Sequence, residues 1–326
     1  MAKIHLYIDL GSYSTVIYRE GKGIVLHEPS RILLNKVDGA NEVVDYGQKA
    51  VKEIDTQFVV NPIMEGVITN EIECANMLRE YIRRVITDKP NASVEAMFSI
   101  PCGVSAEEKQ KFYNVAYSAG ISRLMLVPAP VADLLGCGIS FDDFDNCILV
   151  DIGSGCTDIC ILGRNGIEDG FTINIGSVNI DLAIASHIQS KYGVKISLGS
   201  ALSLKEQIGS LIPSGSKILS VSGTEQRSGE QKTINATGFD ILDALREYYQ
   251  VIADSIASLL STAEPNISAL ARQQGVIFCG NGSKIGGLRE YMQQRLCIPV
   301  FIAEGERNVY GMQKLSQNKD LIKIVL

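Results

Sequence analysis

Short apolar, β-branched runs separated by glycine turns dominate the start of the chain: Ile4-His5-Leu6-Tyr7-Ile8, then Val16-Ile17-Tyr18, then a third run closed by Pro29. With turns at Ser12-Tyr13-Ser14 and Glu20-Gly21-Lys22-Gly23, this predicts a three-stranded meander over residues 1–32. Mixed sequence over residues 33–65 predicts a small outlying subdomain. A helical period runs from Glu71 to Thr87, with Ile72, Ala75, Leu78, Ile82, Val85 and Ile86 on the expected core face. Val94 to Ile100 reads as a strand ending at Pro101-Cys102-Gly103. Ser105 followed by Glu107 and Glu108 reads as a capped helix start running to Ala119-Gly120. A short strand, Leu124 to Val127, leads into Pro128-Ala129-Pro130 and a helix from Val131 to Gly136.

The pattern restarts at Asn146. Strands through Asp151, through Ile161 and over Thr172 to Ile175 repeat the opening meander, and Gly176 with Asp181 opens a helix from Ile180 to Tyr192. Residues 183–236 read as a second small subdomain, with a helix from Ala201 to Gly209 and polar strands around Ser214-Gly215-Ser216 and Ser228-Gly229-Glu230. A long amphipathic helix, Phe239 to Thr262, precedes a buried strand, Gly275 to Cys279. That strand feeds the turn Gly280-Asn281-Gly282-Ser283-Lys284, and Leu288 to Met292 then looks helical.

The two meanders share a motif. Asp9-Leu10-Gly11-Ser12-Tyr13-Ser14-Thr15 and Asp151-Ile152-Gly153-Ser154-Gly155-Cys156-Thr157 both read Asp-apolar-Gly-Ser-x-x-Thr between two strands. A glycine turn with hydroxyls presents backbone N–H groups at close range, which suits phosphate oxygens, and an Asp at the strand end can organise the water shell of Mg²⁺. One such turn is usually only a hairpin. Two with identical spacing, one in each half, imply a duplicated domain whose turns face each other across a cleft. Asp9 and Asp151 are then the candidate metal residues, the alternative being that each caps its own turn.

Composition narrows the classes. A chain of 326 residues, 46% hydrophobic, fits two domains of ordinary size, and a net charge of −7 disfavours general nucleic-acid binding. The eight cysteines are scattered and form no CxxC pair with a second CxxC, so reduced thiols in a cytoplasmic protein are expected rather than zinc or disulfides. No apolar run approaches the ~20 residues that span a bilayer. The first strand begins near residue 4, leaving no room for a signal peptide or an N-terminal amphipathic helix.

Beyond the two turns, Tyr18 to Ser30, Glu65-Gly66-Val67-Ile68, Ile100-Pro101-Cys102-Gly103, Asp151 to Asp158, Lys205 to Ser210 and Phe278 to Ser283 occur in the order found in the MreB family, the bacterial actins, which the chain resembles over nearly its whole length. The resemblance implies an α/β fold of duplicated actin-like (ribonuclease H-like) domains, each a mixed five-stranded sheet with helices, around a nucleotide cleft, with two small inserted subdomains. Domain I would comprise residues 1–145 plus 307–326, because Gly311-Met312-Gln313-Lys314 resembles the family's last helix, and domain II residues 146–306.

The resemblance also implies ATP (or GTP) with Mg²⁺ as cofactors. Gly11, Ser12, Tyr13, Ser14, Thr15, Gly153, Ser154, Gly155 and Cys156 would cradle phosphates; Leu202, Lys205 and Glu206 would pack on base and ribose; Gly280, Asn281, Gly282, Ser283 and Lys284 would lie under adenine and phosphates. Tyr13 and Cys156 are bulkier or less polar than the usual residues, and Leu202 stands where relatives often have Glu. A structural turn explains the Gly280 and Gly282 glycines almost as well, and a solvated helix face is the alternative for Lys205 and Glu206.

Asp151 is the one catalytic candidate, because the family's water-orienting carboxylate before the second proline is replaced by Ala129. Slow or absent ATP hydrolysis is expected, unless Asp158 or Glu108 reaches the terminal phosphate. The implied function is a filament-forming cytoskeletal protein acting in cell shape or wall synthesis, with itself as partner and with paralogues or membrane-bound shape proteins as further partners. The loop Thr87 to Ser93 is short and polar where relatives bind lipid, so direct membrane binding is not expected. A non-hydrolysing scaffold copolymerising with a paralogue and a small-molecule kinase of the same superfamily are the alternatives. A chaperone-type ATPase is disfavoured because no substrate-binding domain follows residue 326.

Overall fold

The computed structural model describes residues 2–37, 39–212, 217–303 and 307–325. The first half opens with β1 (Lys3–Leu10), β2 (Ser14–Arg19) and β3 (Gly23–Pro29). Next come β4 (Ile32–Val37), β5 (Ala40–Tyr46), β6 (Gln57–Val60), β7 (Ile63–Met64), β8 (Val67–Ile68), α1 (Glu71–Val85), β9 (Ser93–Ile100), α2 (Ala106–Ser118), β10 (Ile121–Pro128) and α3 (Ala129–Gly136). β9 and β10 add in parallel beside β1, giving the mixed five-stranded order β10-β9-β1-β2-β3. Because helices cover this sheet, central strands are buried almost continuously, as Leu6, Tyr7 and Ile8 are.

The second half contains β11 (Asn146–Ile152), β12 (Thr157–Gly163), β13 (Gly166–Ile173), α4 (Ser177–Tyr192), β14 (Val194–Lys195), α5 (Leu198–Ile208), β15 (Ile218–Glu225) and β16 (Gln231–Thr237). It continues with α6 (Leu242–Thr262), α7 (Pro265–Gln274), β17 (Val276–Cys279), α8 (Leu288–Leu296), β18 (Val300–Ile302), α9 (Arg307–Ser316) and α10 (Lys319–Val325). Its main sheet has the order β13-β12-β11-β17-β18, the same connectivity as the first: an antiparallel meander with two parallel strands added beside its opening strand. Two three-stranded sheets, β5-β4-β6 and β14-β15-β16, form the outlying pieces.

One apolar cluster fills each half, and a third joins them: Tyr7 and Val16 of the first sheet meet Leu149, Cys160 and Leu162 of the second around α3 and the Val309, Met312 and Leu315 face of α9. The chain's end therefore returns to the seam. Lys314 Nζ donates to the Leu135 carbonyl (3.0 Å), and Gly311 lies so close to the Ala132 carbonyl that no side chain fits there.

Several expectations are corrected. Ile72 is exposed, not core: it lies six residues before Leu78, about 120° around the helix from the buried stripe of Cys74, Leu78, Tyr81 and Val85. The third strand of the second meander begins at Gly166 rather than Thr172, because as an edge strand it tolerates polar residues such as Glu168 and Asp169 that hide the pattern. Ser228-Gly229-Glu230 is the turn between β15 and β16, where the Gly229 amide donates to the Glu225 carbonyl, and the Ser214-Gly215-Ser216 expectation falls outside the described residues. α3 starts at Ala129, two residues earlier than expected, since Pro130 in a first turn sacrifices no helical hydrogen bond.

Candidate functional site: a cleft between two matched hairpin turns

Both motif turns close in the same way. The Gly11 amide donates to the Ser14 carbonyl (3.1 Å) and the Gly153 amide to the Cys156 carbonyl (3.0 Å), each at the end of an antiparallel pair, Leu10 with Thr15 and Ile152 with Thr157. The motif threonines are structural. Thr15 is fully buried with its Oγ1 2.9 Å from Ser30 Oγ, and Thr157 donates to the Ile175 carbonyl (2.6 Å). Thr15 is thus drawn away from the cavity that the other predicted turn residues line.

That cavity is bounded by Asp9 and Gly11 to Ser14 on one side and by Asp151 and Gly153 to Cys156 on the other, with Gly280 and Asn281 closing it from the third turn. A strap made by Glu65 and Gly66, between β7 and β8, runs between the two turns, and the Gly66 amide donates to Ser12 Oγ (3.0 Å). Gly155 is required for this approach: a Cβ there would lie 2.6 Å from Ser12 Oγ and 2.9 Å from the Glu65 nitrogen. At Gly280 the backbone takes φ +78° and any side chain would overlap Asp151 Oδ1. Cys156 lines the cavity, and its Sγ lies on the path a side chain at Gly66 would take. Tyr13 is 57% exposed at the rim.

Acidic groups crowd this floor. Asp9 accepts from Ser99 Oγ (3.2 Å), and Asp151, Asp133 and Asp158 line the same cavity. Burial, with the neighbouring Asp151, Asp9 and Asp158 charges, pushes the Asp133 carboxyl well above the usual range; burial, with Asp158 and Asp9, raises Asp151; burial raises Asp158. One ligand atom each from Asp133, Asp151 and Cys279 lie within 4.8 Å of one another. Mutually repelling carboxylates raised in this way suit a hard divalent cation, whose charge would offset their crowding.

Asp133 was missed by sequence reasoning: it sits inside an apolar helix, and only its place four residues after Ala129, on the same helix face, hinted at the cleft. Asn308 was missed too. Its side-chain oxygen is shielded from solvent without a hydrogen-bond partner, and the residue lines the cavity.

Ala129 lines the cavity, so no carboxylate stands at that position. Glu108 is spent elsewhere: it accepts from the Ser105 amide (2.7 Å) as part of the α2 capping box. Asp158 does reach the cavity, but its Oδ1 already accepts from the Cys102 amide (3.0 Å) and Thr172 Oγ1 (2.5 Å).

A second cavity adjoins through Tyr13, Ser154 and Asn281 and is lined by Asp181, Leu202, Lys205, Glu206, Gly282 and Lys284. Lys205 Nζ donates to the Ser177 carbonyl (3.1 Å) and lies 2.7 Å from Asp181 Oδ1, with both side chains about one-tenth exposed. It is a held side chain rather than a solvated one. Lys284 Nζ donates to Asn281 Oδ1 (2.7 Å). Ser283 turns inward instead, its Oγ donating to the Gly280 carbonyl (2.8 Å), and so braces the turn without facing either cavity.

A polar cleft between the two turns thus continues into a second chamber, and the fold around it has known relatives. The family model described as MreB/Mbl protein matches residues 3–323. The cell shape-determining protein MreB of Escherichia coli (strain K12) is 27% identical over 308 residues, covering 92% of this chain and 88% of its own. The cell shape-determining protein Mbl of Bacillus subtilis (strain 168) is 27% identical over 302 residues, covering 91% and 90%. Among solved structures, MreB5 of Spiroplasma citri bound to ADP superposes with a TM-score of 0.90 at 24% identity, covering 97% of this chain and 96% of that one. The MamK double helical filament superposes with a TM-score of 0.80 at 21% identity, covering 97% and 99%.

Proposed function

The chain belongs to the MreB/Mbl family of bacterial actin homologues, and from that premise we propose that it binds ATP in the cleft and assembles into filaments that organise cell shape or wall synthesis. One observation carries the reading: two hairpin turns of the same internal geometry, one from each sheet, meet across a single cavity floored by carboxylates. The MreB5 structures bound to ADP and to AMPPNP and the MamK filament are consistent with it.

In this reading, Gly11 to Ser14 and Gly153 to Cys156 offer backbone N–H groups to the phosphates. Asp9 and Asp151 hold the cation's water shell, and Mg²⁺ when bound supplies charge neutralisation at the phosphates. Lys205, Glu206 and Leu202 pack on the nucleoside, with Gly282 and Lys284 opposite; GTP is the alternative to ATP there. Residues 1–145 with 307–326 form one domain and 146–306 the other. Closure of the two over nucleotide prepares the outer subdomain faces for head-to-tail contact.

Hydrolysis is slow, because the methyl group of Ala129 cannot orient or deprotonate water. Ala129 on the cavity wall also favours a second reading, a nucleotide-locked scaffold that copolymerises with active paralogues. Among the described residues no helix is long and apolar enough to cross a membrane. The polar loop after α1 points to attachment through membrane-bound partners. Sedimentation with ATP or a non-hydrolysable analogue, followed by electron microscopy, tests assembly: filaments with both nucleotides are expected, and none under any nucleotide condition contradicts the proposal.

A further inference from the structure

The segment after β9 leaves the first sheet, yet its polar backbone is satisfied by the second. The Cys102 amide donates to Asp158 Oδ1 (3.0 Å) on β12, and the Gly103 amide donates to Thr172 Oγ1 (2.8 Å) on β13. Thr172 Oγ1 in turn donates to Asp158 Oδ1 (2.5 Å), so one hydroxyl links both bonds. Asp158 is 2% exposed and stands directly after Thr157, the last residue of the second motif turn. Gly103 permits the approach: a Cβ there would lie 2.8 Å from Thr172 Oγ1 and 3.0 Å from the Thr172 nitrogen.

We propose that Asp158 and Thr172 form a clasp that holds the Cys102-Gly103 segment of the first half against the second half, and so fixes the spacing of the two motif turns. Such a clasp preorganises the cleft. Each turn is half a site on a separate sheet, and a ligand spanning both must otherwise spend binding free energy to align them. Asp158 is buried and Cys102 and Thr172 are half-buried, so opening the clasp strips donors from a carboxylate that water reaches poorly, which is costly; the Gly103 amide is exposed and can turn to solvent. Asp158 is therefore a positioning residue. Its burial raises its pKa, opposed by the Thr172 and Cys102 hydrogen bonds, which favour the charged form. The effect on affinity rests on the nucleotide reading above, whereas the mechanical role does not.

The test uses the full chain without nucleotide, then with ATP and Mg²⁺. Hydrogen exchange at the Cys102 and Gly103 amides reads the bonds, and a label pair across the halves reads their separation. Wild type is expected to protect both amides. Asp158→Ala and Thr172→Val are expected to lose that protection, lengthen the distance between halves and weaken ATP by about tenfold, which is about 1.4 kcal/mol. Asp158→Asn keeps an oxygen acceptor and is expected to restore protection and distance, a rescue that loss of packing alone would not give. Gly103→Ala, which wedges the same contact from the other side, is expected to lengthen the distance and keeps the test open where Asp158→Ala does not fold.

Free exchange of both amides in wild type, or unchanged distance and affinity in Thr172→Val and Gly103→Ala, would overturn the clasp. Protected amides and variant-dependent distances in a protein that binds no ATP would support the clasp while removing the nucleotide reading.

Discussion

The two motif turns have one backbone geometry but unlike surroundings. The first is set among neutral hydroxyls: Ser12 is committed to the Gly66 amide, Ser99 donates to Asp9, and Tyr13 lies out at the rim. The second is set among acids and thiols, with Asp133, Asp151 and Asp158 gathered beneath it and Cys156 and Cys279 alongside. The turn geometry is shared while the surroundings differ, and in the proposed reading both turns offer backbone N–H groups, with the cluster of carboxylates around the second weighting the cation toward Asp151.

The sharpest way to break this comparison is to neutralise each aspartate in turn. Asp151→Asn is expected to weaken Mg²⁺-dependent ATP binding by about 10²-fold or more, the equivalent of about 2.8 kcal/mol. It is also expected to raise the melting temperature of the nucleotide-free protein, because it removes one of several repelling buried charges. Asp9→Asn is expected to cost less affinity and to gain less stability, since a serine hydroxyl already supports Asp9. Calorimetry and thermal melts of the two variants check the asymmetry, and equal effects would erase it.

Of similar size is the effect at the water-orienting position. Ala129→Glu places a carboxylate on the cavity wall, and single-turnover hydrolysis is expected to rise by ~10²-fold. Equal, brisk turnover in wild type and variant would show that another group already does this work.

The strand–turn–strand duplication was legible because its glycines and aspartates sit at fixed spacing between apolar runs, and the matched sheet orders follow from it. The floor of the cleft was not. Asp133 is surrounded in sequence by Val131, Ala132, Leu134 and Leu135, so helical periodicity marks its neighbourhood as core and says nothing of the two turns above it. The motif positions Thr15 and Ser283 look like ligand-facing hydroxyls, yet both are spent on backbone or hydroxyl partners inside their own half. A sequence pattern places a residue in a turn; only the opposing element decides which way its hydroxyl is used.

A smaller effect sharpens the electrostatic side. The Asp133, Asp151 and Asp158 carboxyls have folded pKa values above their unfolded values of about 4. Each therefore adds stability in full below pH 4, and that contribution is lost as the pH rises through the folded value. Considered for these groups, nucleotide-free protein is expected to melt lower at pH 8 than at pH 5.5, with Mg²⁺ and ATP narrowing the gap. A gap unchanged by Mg²⁺ and ATP would place the cation elsewhere.

Smaller again is the nucleoside side. Lys205→Ala removes the partner of a buried Asp181 and is expected to weaken ATP by roughly tenfold without changing its dependence on Mg²⁺.

The most direct measurement is a calorimetric titration of wild-type protein with ATP, in Mg²⁺ and again in excess chelator. The account predicts one site per chain with magnesium and a marked loss of affinity without it. Absence of binding in both buffers, or affinity indifferent to the metal, would contradict the claim that the two turns and their carboxylates form a single nucleotide site.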